Sequence, residues 1–299
     1  MNQCAYCGSK PNYAMIAYFV SDLHGKFEKY LRLFDLIRIG KPDVVLFGGD
    51  LFPHHSLRRH RDFEHIKDFL HDFLIAAMIG LRNEMQDSYP KVFLIPGNDD
   101  ARIEEQHIIE AEKYGIWKYL HMRKETYGEY DFYGYAFVPP TPFLLKDWER
   151  YDISRFADPG CVHPTEGYRS VEPDEDIEYV TIQQHLERLT VNADFTKSVF
   201  LFHSPPYNTQ LDRAALDGVM VEHVPVDVHV GSIAIQRFIE TLQPHITLHG
   251  HIHESTRLTG SWMQQIRKTF AFNAAHDGPE LSIIKIPLEN PQEAQRILV

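Results

Sequence analysis

The chain has 299 residues, 43% of them hydrophobic, enough to bury a large core in one domain or two small ones. Its formal charge of −12 repels polyanions, which disfavours a broad DNA or RNA surface but not a small anion held by local cations. No apolar run approaches the ~20 residues of a membrane helix, and three cysteines, an odd number, argue against a disulfide framework and for a reducing, cytoplasmic setting.

Taken in order, MNQCAYCGSK has no basic region leading into an apolar stretch, so no secretory signal is expected. AMIAYFV (14–20) reads as a buried strand, and Lys26–Arg38 places Phe27, Tyr30, Leu31, Phe34 and Ile37 at helical spacing, stopped by Gly40 and Pro42. DVVLFGG (43–49) is a second strand, residues 61–85 a long helix, KVFLI (91–95) a third strand, and Ala101–Tyr114 a helix ending at Gly115. Strand–helix alternation predicts parallel pairing with helices outside. DFYGYAFVPPTPF then runs from a strand into a Pro-rich loop, and residues 144–180 show no period. The acidic run EPDEDIE (172–178) reads as a solvated loop, and the irregular stretch 139–180 as a lid-like insertion. A helix at 181–192, strand SVFLFH (198–203), helix Ile233–Leu242 capped by Ser232, and strand HITLHG (245–250) follow, with RLTG, TFAFN and LSIIKI as further strands. With no repeat or linker, one domain over 1–299 is expected, with 1–12 as an N-terminal extension.

The chemistry collects where strands end. SDLHG brings Asp22 and His24, FGGDLF brings Asp50, IPGNDD brings Asn98, SVFLF ends in His203, and HGHIH carries His249, His251 and His253. Ligands of α/β sheets sit outside the carboxyl ends of strands, so these residues should converge. Alternate residues on an extended segment share a side, which suits the histidines of HGHIH to a metal. Eighteen histidines add to that expectation. A second D-x-H, Asp227 and His229, has no strand-end placement.

The ordered blocks D-x-H, G-D, G-N-x-D, H and G-H-x-H, spanning residues 22 to 253, resemble the calcineurin-like metallophosphoesterase family. The GS-x-x-I-x-x-F-I run before GHIH is similar to predicted cytoplasmic phosphoesterases related to cyclic-nucleotide phosphodiesterases. The resemblance implies an α/β fold, a four-layer α-β-β-α sandwich with two mixed sheets. It implies two metal ions, Mn, Fe or Zn, one held by Asp22, His24, Asp50 and His253 and the other by Asp50, Asn98, His203 and His251. A hydroxide bridging them would attack phosphorus in line.

Many family members read G-N-H-[DE] where this chain has Gly97, Asn98, Asp99 and Asp100. The replaced histidine is the one linked to the leaving group and to monoesters. An ionised Asp99 cannot donate a proton and repels a dianionic monoester more than a singly charged diester. The expected function is a metal-dependent phosphodiesterase, with Asp50, Asn98, Asp99 and His203 catalytic and cyclic nucleotides among the small phosphate-ester substrates. The other reading of Asp99 is a helix cap, and the alternative function is a metal-binding scaffold for protein partners. An exonuclease would want a basic groove that the charge does not supply. His55, Arg58 and Arg59 in HHSLRRHR can reach a substrate phosphate or form a solvated helix start. Cys4 and Cys7 have half the spacing of a zinc site that Cys161 and His163 would complete, with ordinary free thiols as the alternative. Asn273 and His276 follow the strand TFAFN and either line the site or serve core and surface roles.

Overall fold

A computed structural model of the chain describes residues 14–53 and 68–299. Strand β1 (Ile16–Val20) leads through α1 (Phe27–Gly40) to β2 (Val44–Gly48). A π-helical segment, Phe69–Ile75, continues into α2 (Ala76–Met85), followed by β3 (Lys91–Ile95), α3 (Glu105–Glu110) and the short β4 (Lys118–Tyr119). Next come the hairpin of β5 (Lys124–Tyr127) and β6 (Tyr130–Tyr135), then α4 (Ile182–Leu189) and β7 (Ser198–Phe202). A small ribbon, β8 (Met220–Val221) and β9 (Val224–Pro225), precedes α5 (Ile233–Leu242), β10 (Ile246–His249) and α6 (Ser255–Thr259). The last strands are β11 (Met263–Ile266), β12 (Thr269–Asn273), β13 (Ser282–Pro287) and β14 (Gln295–Leu298).

The strands form two six-stranded mixed sheets, ordered β14-β13-β1-β2-β3-β4 and β11-β12-β10-β7-β6-β5. Alternation along the buried strands builds the layers. Ala17, Phe19, Val44, Leu46, Phe93 and Ile95 face the second sheet, where Phe132 stacks on Phe93 with ring centroids 4.7 Å apart. Tyr18, Val20, Val45 and Phe47 point the other way, onto Tyr30, Leu33, Phe34 and Ile37 of α1. On the outer face of the second sheet Phe200 packs edge-on against Phe238 of α5. The result is the expected helix–sheet–sheet–helix sandwich.

Four local readings change. RLTG is the end of α6, stopped by Gly260 at φ +76°, and the strand is the following MQQI. The helix expected over 101–114 is interrupted by 3-10 turns at Arg102–Glu104 and Ala111–Tyr114, because the Trp117 indole N–H takes the Ile108 carbonyl that a continuing α-helix would offer residue 112. The described part of the long 61–85 helix is π-helical before it is α-helical. The acidic run 172–178 is anchored: Asp174 takes Arg102, and Glu175 takes His185 and Arg188.

Residues 139–180 carry isolated bridges, Val138 to Glu149 and Tyr151 to Thr181, around a buried knot. Lys146 and Glu149 pair at 2.6 Å with both side chains fully buried, and Asp147 accepts the Arg102 and Ser170 backbone N–H groups.

Beside this knot His121 and His185 are buried. Burial pushes His185 down to about 4 and His121 well below its ordinary value, so both are neutral in the folded protein. An unfolded chain protonates them below ~6.5, so it binds more protons than the native state and stability falls as pH drops from about 6.5 toward 4. Urea unfolding across that window should show this loss, reduced in His185→Gln. Equal slopes in the two proteins would contradict it.

Candidate metal centre

Parallel pairing of β1, β2 and β3, and of β7 with β10, delivers five turns to one edge of the sandwich. Asp22 and Asp50 are buried there, as are Asn98 and His203, while His24, His251 and His253 are half-buried. Two groups of donor atoms lie within 4.8 Å of one another: Asp22, His24, Asp50 and His253 form one, and Asp50, His203 and His251 the other. Asn98 joins the second, its Oδ1 3.0 Å from His203 Nε2.

Each donor is aimed by the fold. The His203 Nδ1–H donates to the Gly48 carbonyl at 2.7 Å, which turns Nε2 inward, 3.4 Å from Asp50 Oδ2. His253 Nε2 stands 3.1 Å from Asp22 Oδ1 and 3.1 Å from His24 Nε2. The Asp50 Oδ1 accepts the Asp99 backbone N–H at 2.8 Å. Four of these residues hold left-handed backbone angles: Asp22 (φ 59°), His24 (φ 45°), Asp50 (φ 51°) and His251 (φ 70°). Such angles cost roughly 1–3 kcal/mol each, and they concentrate at functional sites.

Glycines clear the space. A Cβ on Gly97 would lie 2.2 Å from Asp50 Oδ1, and one on Gly250 would lie 2.5 Å from Asp22 Oδ2 and 2.1 Å from Ser21 Oγ. The Ser21 hydroxyl is buried and has no hydrogen-bond partner among the described residues.

The electrostatics favour a bound cation. Burial pushes both Asp22 and Asp50 up, but the neighbouring imidazoles reverse this, holding Asp22 down at about 2 and Asp50 far below the carboxylate range. Burial pushes His203 down, and Asp50 beside it overturns that, raising it to about 10. Burial, with His203 close by, takes His251 down to about 3. Two imidazole nitrogens 3.1 Å apart, ionised carboxylates and a neutral amide oxygen are a donor set suited to Mn, Fe or Zn.

Asp99 does not cap the following helix: its N-cap is Ala101, with no side-chain cap. Its carboxylate instead stands 3.4 Å from His24 Nδ1, a partner that would orient a ligating imidazole. Asp100, given no role from the sequence, accepts backbone N–H groups from Leu51, Phe52 and Gly97 and so ties the Asp50 and Asn98 turns together. Burial and the Asp50 charge push it up to about 7. The fourth position of G-N-D-D was the available signal.

The histidines of HGHIH do not act by strand alternation. His249 is a core residue of β10, bonded to the Ser204 carbonyl and Thr247 hydroxyl and stacked on Phe202, while His251 and His253 reach the centre through a turn. Asn273 is fully buried and donates to the Leu211 carbonyl and Ser255 hydroxyl, and His276 pairs with Glu280. The second D-x-H lies elsewhere: His229 is held by Asp212, and Asp227 takes the Tyr207 hydroxyl. His163 bonds Tyr151. His55, Arg58 and Arg59, like Cys4 and Cys7, lie outside the described residues.

A family model described as "calcineurin-like phosphoesterase" matches residues 15–255. Among solved structures, TT1561 of Thermus thermophilus is similar at 15% identity, with a TM-score of 0.57 and coverage of 96% of this chain and 99% of that one. Another crystal structure is 17% identical with the same TM-score of 0.57, covering 95% and 98%. These likenesses concern the fold alone. No curated protein matches at a significant level.

If the glycine clearance at Gly97 serves the donors, Gly97→Ala should displace Asp50 and cut metal affinity by tenfold or more, on the order of losing a supporting contact. Metal analysis after dialysis, with circular dichroism to verify the fold, reads this. Unchanged metal content would contradict it.

Proposed function

The chain belongs to the calcineurin-like phosphoesterase family, and on that premise we propose that it is a metal-dependent phosphodiesterase acting through two cations that share Asp50. The observation that carries this reading is the pair of donor groups meeting at Asp50, with the Asp99 carboxylate set against His24 at their rim. Asp22, His24, Asp50 and His253 would hold one ion, and Asp50, Asn98, His203 and His251 the other. Cations there supply Lewis acidity toward phosphoryl oxygens and acidify water.

The chain's own residues supply the rest. His203, its Nδ1 proton committed to Gly48, aims Nε2 at the centre, where a cation would displace the proton that Asp50 otherwise favours there. Asn98 contributes a neutral oxygen, so the second group contains one carboxylate where the first contains two. That side retains more positive charge and would draw the substrate phosphate. Asp99 is partly exposed, with 21% of its side chain accessible. Its negative charge opposes a dianionic monoester about twice as strongly as a singly charged diester at equal distance. Asp99 thus has two roles in this reading: orienting His24 and selecting against monoesters. Small diesters, cyclic nucleotides among them, are the substrate class it fits.

With Mn²⁺ present, bis-p-nitrophenyl phosphate should turn over at least roughly tenfold faster than p-nitrophenyl phosphate, as expected for a barrier difference near 1.4 kcal/mol. Asn98→Ala/His203→Ala should abolish both activities. Asp99→Asn should narrow the preference while loosening metal binding by about 10–100-fold. Monoester turnover equal to or above that of the diester would overturn the diesterase reading.

A further inference from the structure

The acidic run EPDEDIE (172–178) rests on cations drawn from three other parts of the chain. Asp174 accepts from Arg102 Nη1 and Nη2 at 3.1 and 3.0 Å and lies 4.0 Å from Arg150 Nη2. Glu175 accepts from Arg188 Nη1 at 2.6 Å and from His185 Nε2 at 2.7 Å, and lies 3.7 Å from Arg150 Nη2. Two adjacent carboxylates thus stand among three guanidinium groups and an imidazole.

The cations have supports that do not involve these carboxylates. Arg102 Nε donates to Glu105 at 2.9 Å, and its guanidinium lies over the Trp148 ring. Arg150 lies over the Phe137 ring at 4.9 Å, and its backbone N–H donates to the Val138 carbonyl. His185 and Arg188 stand on α4, where the Tyr135 hydroxyl donates to His185 Nδ1 at 3.0 Å and leaves Nε2–H facing Glu175. The acidic run, by contrast, belongs to no strand or helix. It is fastened at its flanks, where the Ser170 hydroxyl accepts the Ile103 N–H and Glu178 pairs with Arg155.

Arg150 is the cation that the run serves poorly. Its side chain is 2% exposed, against 64% for Asp174, and a guanidinium so buried needs its N–H groups paired. Both carboxylates stop beyond hydrogen-bond reach of its Nη2. Its Nη1 meets the Asp176 carbonyl at 3.5 Å, and its Nε has no partner among the described residues. The carboxylates are committed to Arg102, His185 and Arg188, whereas a free tetrahedral oxyanion can settle closer to Arg150. A phosphoryl dianion suits the exchange: its charge of about −1.5 to −2 near pH 7 matches the two carboxylates it would replace.

We propose that Arg102, Arg150 and Arg188, with His185, form a binding site for a dianionic phosphoryl group, free phosphate or a phosphomonoester, in which Asp174 and Glu175 act as built-in competitors. The ligand displaces the 172–178 segment and takes its place on the guanidinium groups. This site is separate from the donors around Asp50 and does not depend on the function proposed above. It meets the chain leaving that centre at Arg102, four residues beyond Asn98.

Calorimetric titration with inorganic phosphate tests this on the full chain, freed of divalent ions by a chelator. The unaltered protein should bind one phosphate. Asp174→Asn/Glu175→Gln removes the competing charge while keeping the size of both side chains, and should bind at least about tenfold tighter. Arg150→Lys keeps the charge but loses the planar fork, and should bind about tenfold or more weakly. Asn98→Ala/His203→Ala should bind phosphate as the unaltered protein does, which separates this site from the strand-end donors. Phenyl phosphate, titrated in the same way, identifies the source: its binding assigns the site to monoesters, and binding of inorganic phosphate alone assigns it to the free ion, either result supporting the proposal. Absence of saturable phosphate binding by the unaltered protein would overturn it. So would loss of binding in the Asn98/His203 variant, or one affinity shared by the unaltered protein, the Asp174/Glu175 variant and Arg150→Lys. Should Arg150→Lys fail to fold, Arg188→Gln at the half-exposed position makes the same comparison and is judged the same way.

Discussion

Three carboxylates, Asp22, Asp50 and Asp100, are buried together where the two sheets meet, and keeping that negative charge out of water is the constraint on which the rest of the centre depends. Each raises the cost of the next: the Asp50 charge pushes both Asp22 and Asp100 upward. Ions in a low-dielectric interior must be paired or hydrogen-bonded. The protein meets this in two ways. Asp22 and Asp50 are surrounded by imidazoles and held ionised, the state a cation needs. Asp100 receives three backbone N–H groups and stays near its point of protonation. One set of residues with a single charge type thus divides into candidate metal donors and a structural clasp.

That division is also mechanical. Asp100 clamps the segment after Asp50 onto the turn after β3, so two turns from different strands move as one piece. Left-handed angles at Asp22, His24, Asp50 and His251 bend four side chains inward that an extended chain would send past one another. The strain is sustained by the two sheets behind it, in which Phe19, Leu46 and Phe93 of the first and Leu201 of the second are buried completely. Glycines 97 and 250 supply the missing volume. A rigid hydrophobic frame therefore underwrites a locally strained polar edge.

The long irregular stretch 139–180 takes part through one contact line. Asp147 accepts the Arg102 N–H, Arg102 lies over the Trp148 ring at 5.2 Å, and Asp174 takes the Arg102 guanidinium. Arg102 stands four residues beyond Asn98, so this stretch anchors the chain leaving the centre. Its lack of period in sequence follows from how it is held: by isolated backbone bridges and side chains such as Lys146 and Glu149 rather than by continuous strands.

Much of this was legible without coordinates. Apolar runs at 16–20, 44–48, 91–95 and 198–202 specify strands through composition alone, and the polar residue after each run is placed by the parallel arrangement that alternating helices impose. The order of blocks carried the family. Sequence could not tell which aspartate does what in Asp99-Asp100, since both have the same chemistry and their roles differ only in what lies within 3.5 Å. Nor could it separate His249 from His251 and His253, because a single left-handed residue sends the last two out of the strand and into the centre. The short strands β4, β5, β11 and β14 lay hidden for a similar reason: at two to four residues their pairing is decided by neighbours. Local periodicity and residue type are properties of one stretch of chain, and they pointed to the strand–helix alternation and the donor candidates, while the four-layer sandwich followed from the family resemblance. Contacts between residues such as His24 and Asp99, or Leu51 and Asp100, depend on how turns from separate strands are brought together. Only the folded chain determines that.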